Sequence, residues 1–261
     1  MVDDAVTSTR STSGSGWRGT ALLRPGVLAF SGSIGPTGHH AHHAVQVMTG
    51  ATPLTVIDGH GVPHSGATIA VPADARHRIA VGADDGVVIF LEPETAAGQA
   101  AHRRSATSGW VTADVLGMPG HRPLSDVVAD FVRRLTPSGP AAPVEPSERH
   151  HAVESALRLL PEMVAQGPVS GTALAAEVGV SVSRLTHLFS EQVGLPLRRY
   201  VLWSRLRVAI VNVQNGADLT GAAHAAGFSD SAHLTRTTRT MFGLPPSILS
   251  RHVRWDLAGL E

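Results

Sequence analysis

The chain has 261 residues, 43% of them hydrophobic and 16% charged, with 21 basic residues balanced by 21 acidic ones. That length accommodates two ordinary domains, each burying its own core. The absence of cysteine excludes disulfides and thiolate metal sites, no apolar run reaches the roughly 18–20 residues that span a bilayer, and the polar start MVDDAVTSTRSTSGSG lacks the apolar stretch of a secretory signal.

Residues 1–19 read as a disordered leader. From Thr20 to Glu92 short apolar runs alternate with Gly, Pro and Asp turn signals. Candidate strands are Gly26–Ser31, His40–Met48, Leu54–Ile57, Thr68–Val71, Ile79–Val81 and Val87–Leu91, separated by turns such as Gly35-Pro36, Asp58-Gly59 and Asp84-Asp85-Gly86. Many short strands at close spacing predict an all-β barrel or sandwich.

The chemistry of this half sits in His39-His40-Ala41-His42-His43-Ala44-Val45-Gln46 and in His77. On a strand, side chains alternate faces, so His40, His42 and Gln46 share one face and His39 and His43 the other. With the spacing Gly66, Pro72 and His77, these residues resemble the two cupin motifs, although Gln46 stands where a glutamate is expected and Asp74 where a glycine is. That resemblance implies a barrel with His40, His42, Gln46 and His77 as ligands of a divalent ion. Imidazoles suit zinc, iron, nickel or copper, and three of them with one weak oxygen donor make an open site. The same histidines would equally line a pocket for an organic ligand or fill the barrel mouth. His60 and His64 lie in loop sequence and read as solvated.

Pro93–Arg104 reads as a short helix or a loop over the barrel. Leu124–Leu135, capped by Ser125, repeats Val127, Val128, Phe131, Val132 and Leu135 at helical spacing, a face for packing on the barrel or, preferred slightly, for pairing two copies of the chain. Thr136–Pro146 (TPSGPAAPVEP) is the clearest boundary, placing domains at 20–136 and 147–255 with a linker at 137–146.

Beyond it, Ser147–Ala165 is a helix that Pro161 should bend or end. One pattern is then written twice, as LAAEVGVSVSRLTHLFSEQVGLP (Leu174–Pro196) and AAHAAGFSDSAHLTRTTRTMFGLP (Ala222–Pro245). Gly179 to Gly227 is 48 positions and Leu185 to Leu234 is 49, so the second copy has one extra residue just after its turn. Each copy reads as a short helix, a glycine turn and a second helix: Gly171–Val178 then Val182–Val193, and Leu219–Ala226 then a helix from Asp230 or Ser231 to Phe242. Ser181 and Ser229 read as caps. Between the copies Pro196 opens a long helix, Leu197–Asn215, about 28 Å in length. Its buried stripe is Tyr200, Val201, Trp203, Leu206, Ile210 and Val213, and Arg198, Arg199, Arg205 and Arg207 lie elsewhere on its surface. Pro245–His252 closes the chain's last domain. Five arginines between Arg184 and Arg207 face a single acid, Glu191. Arginine suits phosphate and guanine, though arginine in place of every lysine follows equally from genomic composition.

The stretch from about Ser147 to Arg254 resembles the DNA-binding domain of the AraC/XylS family of transcription regulators, most tellingly at Ala222–Pro246. The resemblance implies an α+β chain of two domains, a cupin-like sensory barrel followed by two helix-turn-helix units on one long helix. It implies double-stranded DNA as partner, a small-molecule effector, possible contact with RNA polymerase, a possible homodimer, and a cytoplasmic, non-enzymatic protein. Ser183, Arg184, Thr186 and His187 would face the groove from the first unit. Ser231, Ala232, Thr235 and Arg236 would do so from the second, with Arg239 on a phosphate. Two departures matter: Thr238 replaces a usual core phenylalanine, and His187 a common arginine. A contribution of the two helices that is unequal follows. The competing reading, carried by His40, His42 and His77, is a metal-dependent cupin enzyme of dioxygenase or isomerase type with a helical appendage.

Overall fold

The computed structural model describes residues 16–111, 120, 122–136 and 149–257. The leader as far as residue 15, the linker 137–146 and Ser147, where the next helix is expected to start, lie outside those residues.

Six strands form the N-terminal half: β1 (Arg18–Arg24), β2 (Val27–Ile34), β3 (Val45–Asp58), β4 (Pro63–Val71), β5 (His77–Val81) and β6 (Ala83–Leu91). They pair antiparallel in the order β4-β3-β6-β2-β1, with β5 also on β3. The expected leader is too long, because β1 starts at Arg18 and Trp17 is buried against Phe30, ring centroids 5.0 Å apart. The run expected as strand from His40 begins pairing in β3 only at Val45, and β3 absorbs Leu54–Ile57 across a register shift between Thr49 and Leu54. Asp84-Asp85-Gly86 is strand rather than turn. Gly86 pairs with both Gly32 and Gly50, and a Cβ there would meet Thr49 O at 2.6 Å, so glycine serves close strand approach.

The sheet is covered on both faces, and this explains the unbroken apolar run Val87–Leu91. Val87, Ile89 and Leu91 face helices α1 (Ala96–Ser108) and α2 (Leu124–Leu135), while Val88 and Phe90 face the C-terminal helices. Val127, Val128, Phe131 and Leu135 of α2 are buried in that first layer, against α1, β1 and β2. The apolar face expected for dimerisation is thus covered by the chain's own sheet. Pro123, not Ser125, stands at the N-cap of α2.

The C-terminal half comprises α3 (His151–Gln166), α4 (Gly171–Glu177), α5 (Val182–Val193), α6 (Leu197–Gln214), α7 (Leu219–Ala225), α8 (Ser231–Phe242), α9 (Pro246–Arg251) and the strand β7 (Val253–Asp256). Pro161 does not end α3. It gives up one backbone hydrogen bond, but Leu160 and Val164 on either side remain fully buried and hold the helix together. The first unit has its own core, with Leu185, Leu188, Phe189, Val193 and Tyr200 against α3. The second shares a core with the sheet: Trp203, Leu206, Phe228, Leu234 and Phe242 are continuous with Phe30 and Phe90. Finally β7, a strand the sequence did not announce, runs parallel to β1 from Gly19↔Val253 to Leu22↔Asp256. It pairs the backbone of an otherwise open edge, and Arg24 fixes it by bonding Asp256 Oδ1 at 3.0 Å.

Candidate nucleic-acid interface and histidine cluster

The two units are built alike. Gly179 (φ 73°) and Gly227 (φ 74°) supply left-handed turns, a backbone conformation that strains any residue with a Cβ. Ser181 Oγ accepts the Arg184 N–H at 3.2 Å and Asp230 Oδ1 accepts that of His233, so both recognition helices are capped. The expected capping role of Ser229 belongs to Asp230, and Ser229 is the inserted residue of the second turn. Each helix ends at a left-handed glycine, Gly194 or Gly243.

Every residue expected at the groove lies on an accessible face. Ser183, Arg184, Thr186 and His187 of α5 are exposed, as are Ala232, Arg236 and Arg239 of α8, with Ser231 and Thr235 half-buried. His187 stands 3.9 Å from Glu191, one turn on. The 18 residues of α6 span roughly 27 Å between the units. Thr238 is buried and its hydroxyl donates back to Leu234 O at 2.9 Å. Beside it, among Leu206, Ile210, Leu234 and Phe242, lies a cavity of about 40 Å³, where a ring in place of Thr238 would reach.

In the N-terminal half His40, His42 and His77 are buried, and each offers a ring nitrogen within 4.8 Å of the others. His39 and His43 do not join them, as expected. The grouping comes from a loop and not from strand alternation, since His40 and His42 precede β3. His40 is placed by a two-way backbone bridge to His77, with N–H to O distances of 2.8 and 2.9 Å. The Nδ1 atoms lie 2.9 Å from Gly38 O (His40), 2.7 Å from Ala44 O (His42) and 2.8 Å from Ala75 O (His77). A carbonyl only accepts, so each Nδ1 carries the ring proton and each Nε2 is left as the lone-pair nitrogen. Gln46 Oε1 is 2.9 Å from Nε2 of both His42 and His77. Burial, then the neighbouring rings, hold His40 down to about 3 and His77 to about 2, and burial also lowers His42. The rings are therefore neutral, with their lone pairs turned towards an amide oxygen. This donor set fits a divalent transition metal, as the cupin resemblance implied: neutral imidazoles fixed through Nδ1 by backbone carbonyls, plus one oxygen donor.

Comparison with known proteins places the helical half. Residues 174–252 match the family model described as a helix-turn-helix domain. They form a helix-turn-helix domain. Over 38% of this chain and 88% of the other, the chain is 28% identical to a transcriptional regulator from Chromobacterium violaceum with an AraC-type DNA-binding domain (TM-score 0.36). Its whole fold is similar to that of ToxT from Vibrio cholerae O395, with a TM-score of 0.52 at 11% identity, covering 91% of this chain and 100% of ToxT. Apo ToxT from strain SCE256 gives 0.52 at 10% identity, covering 88% and 99%. No curated protein matches the chain.

The contacts that hold the helix-turn-helix domain to the sheet are not legible in the sequence. Arg207, expected on the helix surface, pairs with Glu92 at the end of β6 and also donates to Arg24 O at 2.9 Å. Trp203 Nε1 donates to the same Glu92 oxygen at 2.8 Å. Burial pushes the Glu92 carboxyl up, against the pull of Arg207. Arg199 pairs with Asp74, and Glu94 with His43 at 2.8 Å, whose ring meets Tyr200 edge-on at 5.4 Å. Of the five arginines between residues 184 and 207, Arg184 and Arg198 are exposed and Arg205 is half-buried. The basic face offered to DNA is correspondingly smaller than the sequence suggests. The available signal was the two acids of Glu92-Pro93-Glu94 closing an apolar strand. His64, expected in solvent, is half-buried, stacked on Trp110 at 4.6 Å and bonded to Asp58 at 3.1 Å.

Proposed function

We propose that this protein is a sequence-specific regulator of transcription that binds double-stranded DNA through α5 and α8 and is controlled by an effector acting on the N-terminal sheet. The observation that carries the reading is the pair of equally capped recognition helices on one rod, both with their polar faces exposed. A rod of roughly 27 Å sets two recognition helices near the ~34 Å repeat of one DNA turn. Arg184 and Arg236 would read guanine edges, Ser183, Thr186, Ser231 and Thr235 bond to base edges or phosphates, Ala232 pack on a thymine methyl, and His187 and Arg239 meet the backbone.

Control through the sheet is supported by the docking, because an effector that moves the sheet's inner face moves α6 and α8 with it. The competing enzymatic reading needs space for a substrate beside the histidines. The cavity bordered by His40, Gln46, Phe30, Phe90 and Phe242 holds about 40 Å³, far below the ~300 Å³ of a small-molecule site.

The test is fluorescence anisotropy against duplexes from the gene's own upstream region and against scrambled duplexes, at several salt concentrations. Specific binding with a steep salt slope is expected, lost by at least tenfold in Arg236→Ala. Equal affinity for both duplexes at moderate salt would overturn the reading.

A further inference from the structure

The histidine cluster lies directly beneath the end of the second recognition helix. The loop carrying His40 is bonded to that end twice: Ala41 N donates to Thr240 O and Gly38 N to Gly243 O, each at 3.1 Å. The fit is close at Gly243, where a Cβ would stand 2.6 Å from Gly38 O and 2.8 Å from His40 Nδ1. The same short loop therefore holds a ring of the cluster on one side and the C-terminus of α8 on the other.

The cluster itself presents three lone-pair nitrogens and the Gln46 amide. With the amide oxygen towards His42 and His77, acceptors face acceptors. Turned over, its NH2 serves those two rings, whereas a cation serves all three rings and the oxygen together. The adjoining cavity of about 40 Å³ has the size for an ion and not for an organic molecule.

We infer that capture of the divalent ion which the resemblance implies at His40, His42, His77 and Gln46, by fixing the loop at residues 37–41, locks the end of α8 and strengthens DNA binding. The direction follows from the faces involved. Ala232, Arg236 and Arg239 remain exposed while α8 is seated, so seating leaves the DNA face open and removes freedom of α8 relative to α5. This deepens the regulator reading and rests on it, by naming the ion as effector.

The experiment uses the full chain, stripped by chelator and titrated with cobalt(II) chloride. Visible d–d absorption should saturate at one equivalent. Hydrogen exchange at residues 240–244 should slow on loading, and affinity for the specific duplex should rise at least fivefold, the lower end of ordinary allosteric coupling. His42→Ala should lose both the absorption and the exchange response. Gln46→Glu adds a charged donor, and should bind cobalt at least tenfold tighter even if His42→Ala fails to fold. No absorption at an equivalent of cobalt, or no gain in affinity from Gln46→Glu, overturns the site. Stoichiometric cobalt without change in exchange or DNA affinity overturns the coupling. In either event, specific DNA binding by the stripped protein leaves the regulator reading standing, so the two failures are told apart.

Discussion

Arg207→Met should loosen the protein more than any change on the DNA face. The guanidinium is the charge partner of Glu92, and the Glu92 side chain is only 9% exposed while that of Arg207 is 21% exposed. Removing the cation leaves a buried carboxylate with the Trp203 indole as its remaining named donor and takes the Arg207 donor from Arg24 O. Breaking such a pair costs roughly 3–5 kcal/mol, and the partial exposure of Arg207 argues for the low end, about 3 kcal/mol. The loss is measured by urea unfolding followed by circular dichroism. Adding Glu92→Gln keeps an oxygen for Trp203 while removing the buried charge, so the double variant should regain about 2 kcal/mol of that loss. A loss below ~1 kcal/mol in Arg207→Met, or no recovery in the double variant, would refute the argument that this pair holds the helix-turn-helix domain to the sheet.

Three further outcomes follow. Thr238→Leu should fill the cavity of about 40 Å³ in the second unit; at roughly 24 cal/mol per Å³ the gain is about 1 kcal/mol, read as a rise in melting temperature, and a fall would show the space cannot take the side chain. Arg236→Ala should weaken DNA binding more than Arg184→Ala or His187→Ala, because α5 brings a histidine where an arginine is common; anisotropy giving equal losses from both helices contradicts this. Stripped of metal, the protein should be most stable above pH 6.5, since the unfolded chain takes up protons near 6.5 that His40 refuses until about 3 and His77 until about 2. Stability should therefore fall as pH drops from 6.5, by up to roughly 1.4 kcal/mol per pH unit for each ring, and a flat urea midpoint between pH 7.5 and 5.5 would count against neutral buried rings.

The helical half was legible almost residue by residue, because its signals are local. The Ser181 cap, the glycine turns and the periodic apolar residues of α5 and α8 each act within one or two turns of chain, although the second cap falls on Asp230 and not on Ser229. Pro161 misled because burial of Leu160 and Val164 outweighs one missing hydrogen bond. The sheet was legible in outline only. Whether Asp84-Asp85-Gly86 turns or pairs depends on Gly32 and Gly50 opposite, and the strand β7 exists because β1 offers an edge. Neither is written near the residues concerned. The histidine cluster was found from side-chain alternation and the cupin resemblance, yet its geometry comes from the bridge between His40 and His77, a long-range contact. The seam of Glu92, Trp203 and Arg207 escaped for the same reason: an arginine on a polar helix face looks alike in sequence whether water or a buried carboxylate lies opposite.

These long-range contacts give the two recognition helices different attachments. The unit of α5 has a separate core and meets the sheet half mainly through polar groups, Arg199 with Asp74, Tyr200 with His43, and Arg149 donating to Glu94 O at 2.8 Å. The unit of α8 shares its apolar core with the sheet, through Phe242 against Phe90 at 5.7 Å and Trp203 at 5.7 Å, and its last residues carry the backbone bonds to the His40 loop. Packed apolar contacts transmit a displacement because close-packed side chains have few alternative arrangements, whereas hinged polar contacts can re-form after a small shift. A change at the inner face of the sheet therefore reaches α8 first, and reaches α5 through α6 and the polar contacts. The cavity beside Thr238 falls on this same path, between the rod and α8, so the departure that loosens the second unit's core also leaves it room to respond.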